Sequence, residues 1–280
     1  MCGGADRFSI NIRKQLWNCR SCQTGGDVID LVQHIDGCDF LTAVRTLGIE
    51  DRQTPARPLP PKPPPSRPIE DANGKRALAL WWAAKPITGT LAETYLRSRG
   101  LEYADPDGEV LRFHPNCPFG GVTHPCMIAL FREIEGNKPA AIHRTALTPD
   151  GRKIDRMALG PTSGAAIKLS GDEDVTMGLH IAEGIETTLA AMAMDFKPAW
   201  ALGHSGGIAK FPVLPGIEAL TIIVDHDHPD SNGRKAGHAA ARECARRWME
   251  ARRDVYNVVP HMMGADMADV LVEDEVRHDA

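Results

Sequence analysis

The chain has 280 residues, of which 42% are hydrophobic and 25% charged, and its net charge is −5. This is the profile of an ordinary globular protein with one large or two modest domains. It contains no apolar run of about eighteen residues, which excludes a helical membrane span. Its start, Met1-Cys2-Gly3-Gly4, has no leader-like apolar stretch, so a cytoplasmic protein is expected.

The acidic balance does not decide against a nucleic-acid partner. Much of it is local, with Asp266, Asp269, Glu273, Asp274, Glu275 and Asp279 crowded near the end. An enzyme acting on nucleic acid needs carboxylates for metals as well as cations for phosphates.

Residues 1–50 form a small module. Phe8 to Arg13 alternates at period two, and Gln15–Cys19 gives a second short strand after the basic turn Arg13-Lys14. Asp27 caps a helix with an apolar face of Val28, Ile29, Val32 and Ile35, and Gly37 ends it. Phe40, Ala43, Val44 and Leu47 make another helical stripe. Residues 51–74 are a linker: between Pro55 and Pro68, eight of fourteen residues are proline. Such a stretch is an extended polyproline II spacer, with a PxxP ligand as the rival reading.

Residues 75–177 open with helices around Ala77–Ala84 and Leu91–Arg99, the second stopped by Gly100. Short strands follow, among them Met127–Phe131 and Ala140–Thr145. Residues 178–280 change character. Strands at Gly178–Ala182, Ala199–Leu202, Ala219–Val224 and Asp254–Val259 alternate with helices at Glu186–Met194 and Lys235–Arg253. That alternation predicts an α/β fold with a parallel sheet flanked by helices.

Glu183 directly follows the first of these strands, and Asp225 and Asp227 directly follow the apolar strand 219–224. Open parallel sheets bind ligands beyond the carboxyl ends of their strands. Three carboxylates gathered there repel one another, and a hard divalent ion such as Mg²⁺ relieves that. The alternatives are a helix N-terminal carboxylate at Glu183 and a solvated turn at 225–230. His226 and His228 are read as incidental.

Cys19-Arg-Ser-Cys22 is a C-x-x-C turn with Cys2 upstream. This spacing suits tetrahedral Zn²⁺; a redox dithiol is the alternative, though no thioredoxin-like pattern surrounds it.

At these residues the chain resembles a known family. IAEGIETTLAA (181–191) resembles the Glu-Gly motif of Toprim domains, and IIVDHDHPDSNGRKAG (222–237) their Asp-x-Asp motif. ALGHSGGIAKF (201–211) occupies the place of the middle Gly-containing strand and turn. GADMADVL (264–271) is similar to the downstream acidic segment of phage-type primases. CGGADRFSINIRKQLWNCRSCQTGGDVIDLVQ resembles the zinc ribbon of those primases. WWAAKPITGTLAETYLRSRGL (81–101), LRFHP (111–115) and IHRTALTPDGRK (142–153) resemble the segment between their ribbon and Toprim domain.

The resemblance implies a DNA primase of the phage or mobile-element type: a zinc ribbon, an α+β middle region and a Toprim domain. Such an enzyme makes short RNA primers on single-stranded DNA from nucleoside triphosphates. Glu183, Asp225 and Asp227 are then the catalytic, Mg²⁺- or Mn²⁺-binding set, and Asp266 and Asp269 hold a second ion. Cys2, Cys19 and Cys22 hold Zn²⁺. The family's further cysteine would precede Met1, which suggests a chain starting a few residues late, with Cys38 or His34 as possible substitutes. Arg97, Arg99, His143, Arg144 and Lys153 would guide template and nucleotide phosphates, unless they are ordinary surface groups. Arg7, Arg13, Lys14, Arg20, Phe8 and Trp17 would touch template, or the two rings form the ribbon's core. The chain has no Walker A motif, so a replicative helicase would be a separate partner. A Toprim nuclease and a non-catalytic DNA-binding accessory are the rival readings.

Overall fold

The computed structural model describes residues 8–11, 16–19, 22, 24–48, 72–225, 235–260, 264 and 267–271. It divides into two compact units, Met1–Leu59 and Pro60–Ala280. The proline-rich run 55–68, Cys2, Asp227, Asp266, His226, His228 and the basic residues Arg7, Arg13, Lys14 and Arg20 lie outside the described residues.

In the first unit, β1 (Phe8–Asn11), β2 (Leu16–Cys19) and β3 (Thr24–Gly26) form an antiparallel sheet in chain order. Trp17 and Cys19 are buried while Asn18 between them is exposed, the period-two signature of a half-buried strand. Trp17 thus belongs to the small core of the ribbon. Helix α1 (Val28–Asp36) is capped by Asp27, whose carboxylate accepts from the amides of Ile29 at 2.8 Å and Asp30 at 3.0 Å. Gly37, with φ 64°, closes it in the left-handed conformation expected of a glycine stop. Helix α2 (Phe40–Thr46) follows, capped by Asp39 and burying Ala43.

The second unit begins with α3 (Ala72–Ala83), β4 (Lys85–Pro86) and α4 (Leu91–Ser98). Strands β5 (Leu111–Phe119), β6 (Val122–Glu133), β7 (Pro139–Leu147), β8 (Lys153–Leu159) and β9 (Ala165–Ala166) come next. They make an antiparallel sheet of order β4-β5-β6-β7-β8, with β9 on β6. Both faces of its centre are covered. Met127, Ala129, Phe131, Ala141 and Leu147 enter one core with α4. Ile128, Leu130, Ile142 and Ala146 enter another under Ala77 and Trp81 of α3. Double coverage explains why β6 carries a near-continuous apolar run, Cys126–Phe131, rather than an alternating one.

The rest is α/β: β10 (Gly178–Ala182), α5 (Ile185–Ala193), β11 (Ala199–Ala201), α6 (Ser205–Lys210), β12 (Ala219–Ile223), α7 (Ala236–Glu250) and β13 (Asp254–Val258). The four strands are parallel in the order β11-β10-β12-β13. Ile185 and Leu189 of α5 pack with Ala182, Ala201 and Ile223 on one face. Ile208 of α6 and Cys244 and Trp248 of α7 pack with Leu179, Ile181, Leu220 and Ile222 on the other. The expected parallel sheet flanked by helices is therefore present.

The two sheets are joined by one antiparallel bridge. Ile167, just past β9, exchanges backbone hydrogen bonds of 2.8 and 2.9 Å with Ala201 on β11. The bridge brings strands of the antiparallel sheet beside the carboxyl ends of the parallel one. One finding differs from the sequence reading: 205–210 is a helix, not a turn.

Candidate active site

Strands β10 and β12 are neighbours in register, Ala182 opposite Ile223. Glu183 follows β10 by one residue and Asp225 follows β12 by two, so adjacent strands about 4.8 Å apart deliver both carboxylates to one rim. The local sequence holds them there. Gly184 caps α5 in extended conformation, and the Thr188 hydroxyl donates to its carbonyl at 2.7 Å. The Thr187 hydroxyl donates to Asp225 Oδ1 at 2.9 Å, tying the end of β12 to the first turn of α5. The Gly203 amide donates to the Glu183 carbonyl at 2.8 Å.

Gly203 has φ 79°, and a Cβ there would stand 2.5 Å from Cζ of Phe131. Phe131 is fully buried and cannot give way. Gly203→Ala is therefore expected to destabilise this unit by about 2–4 kcal/mol, from overpacking plus left-handed strain. A urea denaturation midpoint unchanged from the parent chain would contradict that.

Cations reach the rim from β8. Arg156 Nη2 lies 3.0 Å from Glu183 Oε1. Lys153 Nζ lies 2.7 Å from Oε1 of Glu186, in the first turn of α5. The Tyr95 hydroxyl of α4 donates to the same Glu186 oxygen at 2.6 Å. Burial alone would raise the Glu186 carboxyl; the Lys153 ammonium and the Tyr95 hydroxyl outweigh it and hold the group down at about 2. His143 on β7 is 4% exposed. Burial, reinforced by Arg156, Lys153 and Arg144 against the opposing pull of Glu186, lowers it to about 4, so its imidazole is neutral at pH 7.

The expected residues thus divide. Glu183 and Asp225 share the rim, and Lys153 and His143 stand in the same charge network through Glu186. Arg97 is engaged with Glu93 at 2.9 Å on α4, and Arg99 closes that helix. Arg144 is buried and leaves β7 on the opposite face, over the Phe119 ring. Asp269 is exposed on a short helical stretch, residues 267–271, whose Met267, Ala268 and Leu271 enter the core. Among the described residues no group of three His, Cys, Asp or Glu side chains forms a metal-sized cluster.

Arg156, Glu186, Thr187 and the Tyr95 hydroxyl were missed by sequence reasoning. Glu186 had one available signal, its place three residues after Glu183 at a helix start. Tyr95 is both packed in the core and hydrogen-bonded to Glu186.

In the first unit, Cys19 is buried at the end of β2. Cys22 Sγ lies 3.1 Å from Thr24 Oγ1 and 3.6 Å from His34 Nε2. The His34 ring rests on Trp17 with centroids 4.7 Å apart. Zinc bonds of about 2.3 Å to sulfur and 2.0–2.1 Å to nitrogen give a tetrahedral S···N edge of about 3.6 Å, so this pair fits zinc.

With this geometry in view, comparisons with known families agree on the same regions. Residues 178–275 match the Toprim domain, 5–54 the CHC2 zinc finger, and 71–169 a domain of unknown function, DUF7146. The chain therefore carries a primase-type zinc ribbon and a Toprim domain.

Among solved structures, the zinc-binding and RNA polymerase domains of the Aquifex aeolicus primase are similar at 14% identity. That match covers 99% of this chain and 75% of that one, with a TM-score of 0.49. A DNA primase domain from Pseudomonas aeruginosa is 15% identical over 73% of this chain and 77% of that one, with a TM-score of 0.47. The RNA polymerase domain of Mycobacterium tuberculosis primase DnaG is 14% identical over 74% and 80%, with a TM-score of 0.45. No curated protein sequence matches the chain.

Proposed function

We propose that this chain is a DNA primase of the phage or mobile-element type, joining ribonucleotides into short primers on single-stranded DNA. The observation that carries this reading is the common rim of Glu183 and Asp225, faced by Lys153 and Arg156 from the neighbouring sheet. Carboxylates beside cations at the carboxyl ends of parallel strands suit a phosphorylated substrate.

Glu183, Asp225 and Asp227 would hold Mg²⁺ or Mn²⁺, with Asp266 and Asp269 for a second ion. Such ions, when bound, neutralise charge on the attacking and leaving oxygens. The Thr187 hydroxyl, donating to Oδ1 of Asp225, would fix the orientation of the carboxylate for that task. Arg156 holds Glu183 in place until a phosphate competes for the guanidinium. Lys153, anchored by Glu186, presents a fixed positive charge to the nucleotide phosphates. His143, being neutral, offers a hydrogen-bonding imidazole without adding charge. Arg97 and Arg99 belong to the wider basic surface expected to follow the template; Arg144, buried on the other face of its sheet, is set apart from them.

Zn²⁺ would sit on Cys2, Cys19 and Cys22, with His34 in contact. Single-stranded DNA and nucleoside triphosphates are the substrates, and a separate replicative helicase is the expected partner in the cytoplasm.

The test is a priming assay with single-stranded DNA, ribonucleotides and Mg²⁺ or Mn²⁺. Short RNA products that need both template and metal are expected. Degradation of the DNA without added nucleotides would instead assign a nuclease. Metal-independent DNA binding with no product would assign an accessory.

A further inference from the structure

We propose that the α3-covered face of the antiparallel sheet carries a phosphate-binding site of its own, built on Arg76 and Arg144. It is separate from the rim of the parallel sheet and does not rest on the primase reading. Arg144 is next to His143 on β7, and successive strand side chains leave opposite faces. His143 packs toward Phe131, centroids 6.5 Å apart, on the side that holds Glu186 and Lys153. Arg144 lies over Phe119, 5.6 Å from its centroid, on the side covered by α3. There it lines a cavity of about 620 Å³ with Arg76, Phe119, Thr123 and the Gly120–Gly121 turn. Small-molecule sites commonly span about 300–1,000 Å³.

Charge makes this cavity unusual. Arg144 is 6% exposed. Its Nη1 donates to the Pro118 carbonyl at 2.5 Å and its Nη2 to the Ala158 carbonyl at 3.1 Å. Its Nε is buried and has no acceptor among the described residues. Carbonyl oxygens fix the guanidinium but do not cancel its charge. Among the described residues no carboxylate lines the cavity, and Arg76 adds a second permanent cation.

A buried guanidinium without a counter-ion is costly, and an anion in the adjoining space removes that cost. The field reaches a neighbour: the fully buried Cys117 thiol is held below its ordinary value by a hydrogen bond with Cys126 and by Arg144 and Arg76.

Two guanidiniums call for a dianion, which a phosphate monoester supplies and a single carboxylate does not. Thr123 adds a hydroxyl donor. Pro118, Phe119 and Leu159 give apolar wall for an organic portion. The ligand class is therefore a nucleoside phosphate or another phosphorylated small molecule; a phosphate of a nucleic-acid strand offers the same chemistry.

The full-length, zinc-loaded chain in buffer without added Mg²⁺ or Mn²⁺ would be titrated with inorganic phosphate, a nucleoside monophosphate and a single-stranded oligonucleotide. Thermal melting and calorimetry are the readouts, with chloride at matched ionic strength as the control. Phosphate and the monophosphate are expected to bind and raise the melting temperature. Arg76→Gln, at an exposed position, should fold normally and bind them about tenfold more weakly or worse. Arg144→Lys is the second variant, keeping charge but losing the fork. Binding by the oligonucleotide alone, still lost in Arg76→Gln, would make a strand the source of the phosphate. Absence of binding by all three probes, or affinity unchanged in Arg76→Gln, overturns the proposal.

Discussion

Asp225→Asn is expected to abolish primer synthesis while leaving the fold intact. Asparagine has nearly the shape of aspartate, and its Oδ1 still accepts the hydrogen bond that the Thr187 hydroxyl makes at 2.9 Å. The end of β12 therefore stays tied to α5, and the melting temperature should hold. What disappears is one negative charge at the rim shared with Glu183. Losing a ligand charge that holds a catalytic cation costs several kcal/mol of transition-state stabilisation, about a thousandfold in rate.

Asp225→Ala is a poorer test, because it also leaves the Thr187 hydroxyl without its acceptor. Glu183→Gln should behave like Asp225→Asn, with one difference: Arg156 loses its partner and becomes free to bind phosphate. Nucleotide affinity in that variant should hold or rise while turnover collapses. An Asp225→Asn chain that primes within tenfold of the parent would refute the assignment of this rim as the catalytic centre.

The parallel half was legible because each of its devices is local. Residues 219–223 are a largely apolar run bounded by turn residues, and Glu183 and Asp225 fall one and two residues past their strands. Helix α6 was not legible. Gly206 and Gly207 lower its helix propensity, and its cap is His204, whose Nδ1 accepts from the Gly207 amide at 3.1 Å. Histidine is not among the residues that signal a helix start. The Lys153–Glu186–Tyr95 cluster was illegible for a different reason. Its members are 91 residues apart at the extreme and meet where α4, the antiparallel sheet and α5 pack on one shared core. Strand parity also mattered: the sequence reading gives His143 and Arg144 the same candidate role, yet β7 sends them to opposite faces.

The same cluster makes the second unit acid-sensitive in two successive windows. The carboxyl of Glu186 is lowered from 4.5 to about 2 in the fold. The unfolded chain therefore binds the extra proton first, and stability present above pH 4.5 is lost as pH falls toward 2. His143 is lowered from 6.5 to about 4. Its contribution is whole above pH 6.5 and is lost as pH falls through 4, because the unfolded imidazole charges while the buried one resists.

Urea midpoints followed through Trp81, Trp200 and Trp248, all in this unit, should fall from pH 6.5 downward. His143→Leu should flatten the upper window and keep the lower one. Glu186→Gln should flatten the lower window and also lose about 2–3 kcal/mol at pH 7. That loss sits at the low end for a broken buried pair, because the Lys153 side chain is 34% exposed and water shares its charge. With its anchor gone, Lys153 should also bind nucleotide less well, so priming should weaken through nucleotide affinity before turnover. If parent and Glu186→Gln lost stability in parallel between pH 4.5 and 3, the buried carboxylate would not be the source of the lower window. Its role as the anchor of Lys153 would then have to be abandoned as well.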